Sequence, residues 1–388
     1  MNERLKIGLF IDNFYPAIDG VVIAVDNNAK ELSKFNDVVV LAPYEGPNID
    51  DSFRPYKVIR IMSLPVPFSE YRLVGNKSTL SSCYQKLVKE NFDIIHIHSP
   101  FNIGKLGIKI ASKNNIPCIG TVHTRFDFEI GRIINNKFII NNFMKNIMNI
   151  YNKCDKTIVV NDPLIAEIKK FGYNYEPIVI YNGTDLKPLK NKNLDVVDKL
   201  YDLKSTDNVL LFVGRIIDIK NIFFILEALK LLKEENINFK MLYIGTGPDE
   251  KELKEKIKNY QMQDLVLMPG KVTDRSLLSL IYARADLLLF PSLMDTSSLV
   301  RIEAAVNETP GLFIDGSMAG AMINNNINGF TCELDEFKYK ERIKEILKDK
   351  DLLNKVSKEA RNSLGKSWYD VSKETYNLYL ESRYLCRK

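Results

Sequence analysis

Runs of three to six apolar residues, rich in Val and Ile, alternate along the whole chain with longer stretches in which apolar positions recur every three or four residues. A strand buried on both faces of a parallel sheet needs the first pattern, and a helix lying across such a sheet needs the second. The first half of the chain therefore predicts strands over residues 6–11, 37–41, 94–98, 117–122, 156–160 and 177–180; the second half predicts them over 209–213, 240–244, 265–268, 286–290, 311–313 and 329–331. Each set suffices for its own doubly wound domain, so the expected class is α/β with two Rossmann-like domains. The turn-prone sequence Y-N-G-T-D at 181–185 and the polar stretch 187–198 place the boundary, giving a first domain of residues 1–186 and a second of 187–366. The remaining segment, 367–388, has helical spacing at Trp368, Val371, Tyr376 and Tyr379. Ligands of such sheets sit outside the carboxyl ends of the strands, so two domains facing each other imply one central cleft.

A length of 388 residues exceeds what one hydrophobic core supports, in agreement with two domains. The content of 45% hydrophobic and 27% charged residues is that of a globular protein, and a formal charge of +5 suits an anionic ligand or an anionic membrane surface without calling for nucleic acid. The five cysteines, Cys83, Cys118, Cys154, Cys332 and Cys386, are scattered with no C-x-x-C pair, which points to a reducing cytoplasm, no structural zinc and no disulfide frame. Asp12 and Asn13 follow the first short apolar run too soon for a signal peptide, and no apolar segment approaches the roughly 18 residues of a membrane span. The expected location is cytoplasmic, with any membrane contact peripheral and on the inner face.

The candidate chemistry gathers at strand ends. Residues 290–310 read F-P-S-L-M-D-T-S-S-L-V-R-I-E-A-A-V-N-E-T-P: a strand stops at Pro291 and Ser292, a turn follows, and a helix opens at Ser298 and Leu299. A helix starting at a strand end presents unpaired N–H groups and a positive pole, a place to hold phosphate. Asp295 and Glu303 bracket this turn and helix. Glu303, about one and a half turns in and beside Leu299, reaches the hydroxyls of a ligand whose phosphates cap the helix, which suits a nucleotide. The strand 209–213 ends in Gly214-Arg215, with Lys220-Asn221 at the mouth of the next helix; two cations beside a glycine turn are what a departing diphosphate requires as its charge grows. Gly245 and Gly247, in G-T-G-P, lack the third glycine of a dinucleotide fingerprint because Glu250 stands in its place. Gly20, in the first strand-to-helix connection, would admit a ligand close to the backbone. His96, His98 and His123 lie at the carboxyl ends of two first-half strands; His96 and His98 are read as pointing to opposite faces, and no acid spacing beside them indicates a metal.

These motifs resemble the retaining glycosyltransferases of family 4, which have the GT-B fold, and the resemblance spans nearly the whole chain. The family pattern P-S-x-x-E-T-F-G-L-V-x-x-E-A is followed from Pro291 to Ala304, with Asp295 where glutamate is customary and Ser297-Ser298 where Phe-Gly is customary; V-G-R-x-x-x-x-K-N is matched in full at 213–221. The resemblance implies transfer of a hexose from a nucleotide diphosphate sugar, UDP-glucose foremost, with retention at the anomeric carbon and no metal or further cofactor. It implies a first domain that binds the acceptor, a second that binds the donor, and a C-terminal helix crossing back to the first. Roles follow by position: Gly214, Arg215 and Lys220 clamp the diphosphate together with the helix end at Ser298 and Leu299, Glu303 takes the ribose hydroxyls, and Asp295 and His123 meet the donor sugar. Gly245 and Gly270 turn beside the nucleotide, and Gly20 nears the donor phosphates and the acceptor. Asp295 reaches about 1 Å less than glutamate, enough to matter where a shift of that size costs on the order of a hundredfold in rate. A shifted loop, a different donor sugar or impaired catalysis would each account for it, so a nucleotide-sugar binding protein and a nucleotide-sugar epimerase stand as rival readings.

The sequence H-I-H-S-P-F-N-I-G-K-L-G, with T-V-H-T, is similar to bacterial diacylglycerol glucosyltransferases of that family, which implies a glycerolipid acceptor. Residues 129–156 interleave Ile, Phe and Met at helical spacing with Arg132, Lys137, Lys145, Lys153 and Lys156, against Glu129 and Asp155 alone. That is the pattern of a basic amphipathic helix resting on anionic lipid. It equally fits a helix with one face on the core and one in water, so a soluble or polysaccharide-linked acceptor stays open.

Overall fold

The computed structural model describes residues 3–17, 19–47, 49–65, 72–74, 77–132, 134–189 and 193–386. The chain divides into two compact units, Met1–Gly183 with Trp368–Lys388, and Thr184–Ser367. In the first, β1 (Lys6–Phe10), β2 (Asp37–Pro43), β3 (Lys57–Ile61), β6 (Ile94–Ile97), β7 (Cys118–Val122), β8 (Lys156–Val159) and β9 (Ile178–Val179) form a parallel sheet in the order β3-β2-β1-β6-β7-β8-β9. A separate antiparallel pair joins β4 (Ser63–Pro65) to β5 (Arg72–Val74). The sheet carries α1 (Gly20–Ser33), α2 (Lys77–Val88), α3 (Asn102–Asn114), α4 (Phe126–Gly131), α5 (Lys137–Tyr151), α6 (Pro163–Lys170) and the C-terminal α14 (Trp368–Cys386).

The six strands expected in this unit all form, five as continuous apolar runs buried in a parallel sheet and β9 as a half-buried edge strand. The apolar pattern misses β3, a half-buried edge strand whose K-V-I-R-I carries two cations, and the β4–β5 pair, whose strands are too short to show a period. Residues 129–156 do not form one helix. Gly131 closes α4, and Asn136 starts α5 anew by accepting the N–H groups of Phe138 (3.0 Å) and Ile139 (3.2 Å); Lys153 lies in a turn and Lys156 in β8. Met144, Ile147, Met148 and Tyr151 bury the inner face of α5, while Phe138 is 75% exposed at its start. α14 packs along α1, burying Trp368, Tyr376 and Tyr379, and Arg383 pairs with Asp93 at 2.6 Å. Its apolar stripe at 368, 371, 376 and 379 is thus its docking face on the first unit.

The second unit contains β10 (Val209–Val213), β11 (Lys240–Ile244), β12 (Val266–Gly270), β13 (Leu287–Leu289), β14 (Gly311–Ile314) and β15 (Phe330–Cys332), all parallel in the order β12-β11-β10-β13-β14-β15. Counted from β10 this is the 3-2-1-4-5-6 arrangement of a Rossmann sheet, with its switch point between β10 and β13. Around it lie α7 (Asp195–Tyr201), α8 (Ile222–Glu234), α9 (Glu250–Asn259), α10 (Arg275–Arg284), α11 (Leu299–Val306), α12 (Glu336–Lys348) and α13 (Lys350–Leu364). Phe212 stacks on Phe290 with ring centroids 6.0 Å apart, and Phe290 meets Phe313 edge to face at 6.2 Å, a line of rings through the core. Thr184 N–H donates to Lys366 O at 2.8 Å and ties the two ends of the unit together. Part of the stretch 187–198, read as a linker, is helical, since α7 begins within it; residues 190–192 lie outside the described residues. Among the described residues no helix is long and apolar enough to cross a membrane.

Candidate active site

At the switch point of the second unit, the loops after β10 and β13 are bonded to each other. The first runs through Gly214 and the exposed Arg215 into a 3-10 turn, Asp218–Lys220, and Asn221 in the left-handed region opens α8. The second runs through Pro291 and Asp295 to Ser298 and α11. Asn221 Nδ2 donates to Pro291 O at 2.7 Å, and Lys220 Nζ donates to Asp295 Oδ2 at 2.6 Å. Lys220 also lies 5.7 Å from the centre of the Phe290 ring. The other Asp295 oxygen, Oδ1, accepts the Ser298 N–H at 2.7 Å. Burial pushes the Asp295 carboxyl up, but the Lys220 ammonium and the Ser298 N–H outweigh it and hold the group below the ordinary carboxylate value. Lys220 and Asp295, expected to face the diphosphate and the sugar separately, are therefore partners here. Ser298 stands at φ 40° and ψ 54°, left-handed, and its Oγ is buried with no hydrogen-bond partner.

Gly214, Gly245 and Gly270 come together as one backbone ladder. Gly214 N–H donates to Ile244 O (3.0 Å), Gly245 N–H to Gly270 O (2.9 Å) and Ile216 N–H to Thr246 O (3.0 Å). A Cβ on Gly245 would lie 1.8 Å from Gly214 O, so glycine is what lets the loops after β10 and β11 touch backbone to backbone. Glu303, on α11 beyond Leu299, belongs to a different network: its oxygens accept from Arg275 Nη2 (2.7 Å) and Tyr282 OH (2.9 Å), and Arg275 also pairs with Asp185. Sequence reasoning missed Arg275 and Tyr282, because only the fold brings α10 beside α11.

Gly20 and His123 belong to the first unit. Gly20 opens α1 behind its cap Asp19, which accepts the Val22 N–H at 2.8 Å; a Cβ on Gly20 would meet no atom within 4 Å, so packing does not demand glycine there. His96 and His98 do not point apart. Residues two apart along a strand share a face, so His98 follows His96 on the same side, its ring centroid 4.0 Å from that of His96. His98 Nδ1 lies 3.0 Å from His123 Nε2, and His96 bonds Tyr379 OH of α14 and Thr121 Oγ1 of β7, each at 2.6 Å. The three rings line a cavity of about 20 Å³ together with Asn28, Asn182 and Trp368. Burial lowers His96 and His123 to about 3 and His98 well below its ordinary value, so all three are neutral hydrogen-bonding groups at neutral pH. Asp12, also missed, is buried directly after β1, where its carboxylate accepts the N–H groups of Ile103 (2.8 Å) and Gly104 (3.3 Å) and so caps α3; burial pushes it up to about 6. An acid immediately following a strand was the available signal. Among the described residues no group of three His, Cys, Asp or Glu side chains is placed to hold a metal.

Compared with known proteins, residues 18–188 match Glycosyltransferase Family 4 and residues 198–363 match Glycosyl transferases group 1. The chain belongs to the family 4 glycosyltransferases. This glycosyltransferase is similar to the alpha-monoglucosyldiacylglycerol synthase of Acholeplasma laidlawii, 28% identical over 98% of this chain and 97% of the relative. It is also similar to the synthase of the same name in Streptococcus pneumoniae, 27% identical over 79% of this chain and 70% of the relative. A third relative is the UDP-Gal:alpha-D-GlcNAc-diphosphoundecaprenol alpha-1,3-galactosyltransferase of Escherichia coli, 27% identical over 84% of each chain. Among solved structures, Anabaena HepE in complex with UDP and glucose aligns with a TM-score of 0.76 at 15% identity, covering 97% of this chain and 99% of that one. A Rickettsia africae glycosyltransferase aligns with 0.77 at 19%, covering 98% and 99%. At such identities the likeness shows the fold, that of the GT-B glycosyltransferases.

Proposed function

We propose that this glycosyltransferase moves a hexose, glucose in the first instance, from a uridine diphosphate sugar to the hydroxyl of a diacylglycerol-like lipid, with retention at the anomeric carbon. The observation that carries this reading is the cluster of Lys220, Asp295 and Ser298, a cation and a helix start placed where doubly wound sheets bind nucleotide phosphates. The donor is supported by the likeness to HepE with UDP and glucose, and the acceptor by the two diacylglycerol-glucosylating relatives. Phe138 and Ile139, exposed at the start of α5 beside Lys137, support contact with an anionic lipid surface on the cytoplasmic side.

In this reaction the bond between the anomeric carbon and the diphosphate oxygen breaks, and its electron pair leaves on the phosphate. The acceptor oxygen bonds to that carbon from the same face, and its proton passes to the departing phosphate. Arg215 and Lys220, with the helix start at Ser298 and Leu299, neutralise the growing charge. Glu303, fixed by Arg275 and Tyr282, accepts the ribose hydroxyls. Gly214, Gly245 and Gly270 set the loops beside the nucleotide, while the first unit takes the acceptor, with Gly20 in its first loop. On the resemblance alone, His123 is retained as a neutral contact of the sugar.

Calorimetric titration with UDP tests the donor site without needing an acceptor. Native protein binds, and Lys220→Ala loses about 10- to 100-fold in affinity, the worth of a charged hydrogen bond to phosphate. Equal affinity in the two proteins removes the diphosphate assignment. A second reading, a lipid-linked glycan as acceptor, is favoured by the likeness to the galactosyltransferase named for a diphosphoundecaprenol-linked sugar.

A further inference from the structure

Ser298 adopts φ 40° and ψ 54° at the cap of α11, a conformation that residues bearing a Cβ seldom take. Two contacts of one side chain surround it. Asp295 Oδ1 accepts the Ser298 N–H at 2.7 Å, three residues along the chain, and Asp295 Oδ2 accepts Lys220 Nζ at 2.6 Å. Short side chains make such local bonds because their oxygen sits close to the backbone N–H two or three residues on; the extra methylene of glutamate carries the carboxylate past it. The hydroxyl of Ser298 is buried with no partner, so it contributes no bond that would hold the turn. Asp295 and Ser298 are, moreover, two of the positions at which the chain leaves the pattern P-S-x-x-E-T-F-G.

We infer that these two departures are one device: Asp295 is a positioning residue whose two oxygens pin the left-handed Ser298 and the Lys220 ammonium together, and Ser298 is what requires aspartate there. A glycine at that cap enters the left-handed region freely and needs no support, which leaves the acid free to be longer and to point elsewhere. With serine, the carboxylate is committed. The coupling between the two residues stands on the geometry of the turn, while its consequence for donor binding rests on the donor-site reading above.

A double-mutant cycle over Asp295→Glu and Ser298→Gly tests this, read by thermal midpoint and by UDP affinity in the full-length protein. Asp295→Glu in the native background loses the cap, lowers the midpoint and weakens UDP binding by about tenfold, the scale of an unsupported left-handed residue. In the Ser298→Gly background the same change costs less than about threefold, and the midpoint loss shrinks with it. Equal losses in the two backgrounds overturn the coupling. Asp295→Asn provides the second readout: its amide oxygen still accepts the Ser298 N–H, so the fall in midpoint is the same in the Ser298 and Ser298→Gly backgrounds, but the ammonium is no longer pinned, so donor KM rises more than kcat falls. A fall in donor KM would make Asp295 a competitor of the phosphate for Lys220 and overturn its role as a positioning residue. If the native protein binds no UDP, the donor-site reading fails, and the thermal cycle still decides the coupling.

Discussion

Acidification from pH 7 to pH 5 destabilises the first unit through its buried histidines. In the unfolded chain, His96 and His123 take up protons below their ordinary 6.5; in the folded unit burial holds both to about 3, so they stay neutral. The stability they carry is present above the unfolded value and is lost as pH falls from 6.5 towards 3. At pH 5 each costs about 2 kcal/mol relative to pH 7. Asp12 acts in the opposite sense: with its folded value pushed up to about 6, the native state binds the proton first. It returns on the order of 1 kcal/mol at pH 5. The balance is a loss on the order of 2–3 kcal/mol, to which His98, held well below its ordinary value, adds in the same direction. The single tryptophan, Trp368, is buried at the start of α14 and lines the histidine cavity, so its emission during urea unfolding reports on this unit. With a denaturant slope of about 2–3 kcal/mol per molar, the midpoint falls by about 1 M between pH 7 and pH 5. His123→Asn removes its share of that dependence. A midpoint that is equal or higher at pH 5 would show that the histidines protonate freely inside the fold, and the burial argument would be wrong.

Four further outcomes are expected. Gly245→Ala drives a Cβ to 1.8 Å from Gly214 O, prising apart the loops after β10 and β11; it should cost more than about 2 kcal/mol of stability and abolish UDP binding. Gly20→Ala, with open space around the added atom, stays within about 0.5 kcal/mol by the same unfolding assay. Arg275→Ala releases Glu303 while leaving stability nearly unchanged, since its ion pairs are partly exposed; donor KM should rise about tenfold in steady-state assays, and an unchanged KM would remove Glu303 and its partners from the donor site. Replacing Phe138 and Ile139 together by serine leaves the fold intact and reduces sedimentation with anionic vesicles by at least about tenfold, as two exposed apolar side chains no longer enter the lipid interface.

Much of the fold was legible because parallel strands buried on both faces leave continuous apolar runs, as at 209–213 and 118–122. The strands that escaped, β3 and the β4–β5 pair, are an edge strand carrying Lys57 and Arg60 and a pair of three-residue strands, where burial writes no period. Residues 129–156 looked continuous because composition does not register a cap: Asn136 restarts the chain as α5, and an asparagine among many asparagines carries no weight in the sequence. The residues proposed for the donor site were picked out by local motifs, but their pairing with one another was not. Lys220 and Asp295 are 75 positions apart, and only the reversal of strand order between β10 and β13 brings them into contact. The same holds for Arg275 with Glu303 and for Tyr379 of α14 with His96, contacts that depend on which helices share a face. The opposite-face reading of His96 and His98 failed because alternation is by single residues, so positions two apart on a strand share a face.

The most direct test of the account is nucleotide release and product mass for a panel of UDP-, GDP- and ADP-sugars, with and without anionic vesicles containing diacylglycerol. The account predicts release of UDP that depends on the vesicles, together with a lipid product heavier by one hexose in the α configuration. Nucleotide binding without release under every condition, or conversion of the donor sugar with no acceptor present, would contradict it.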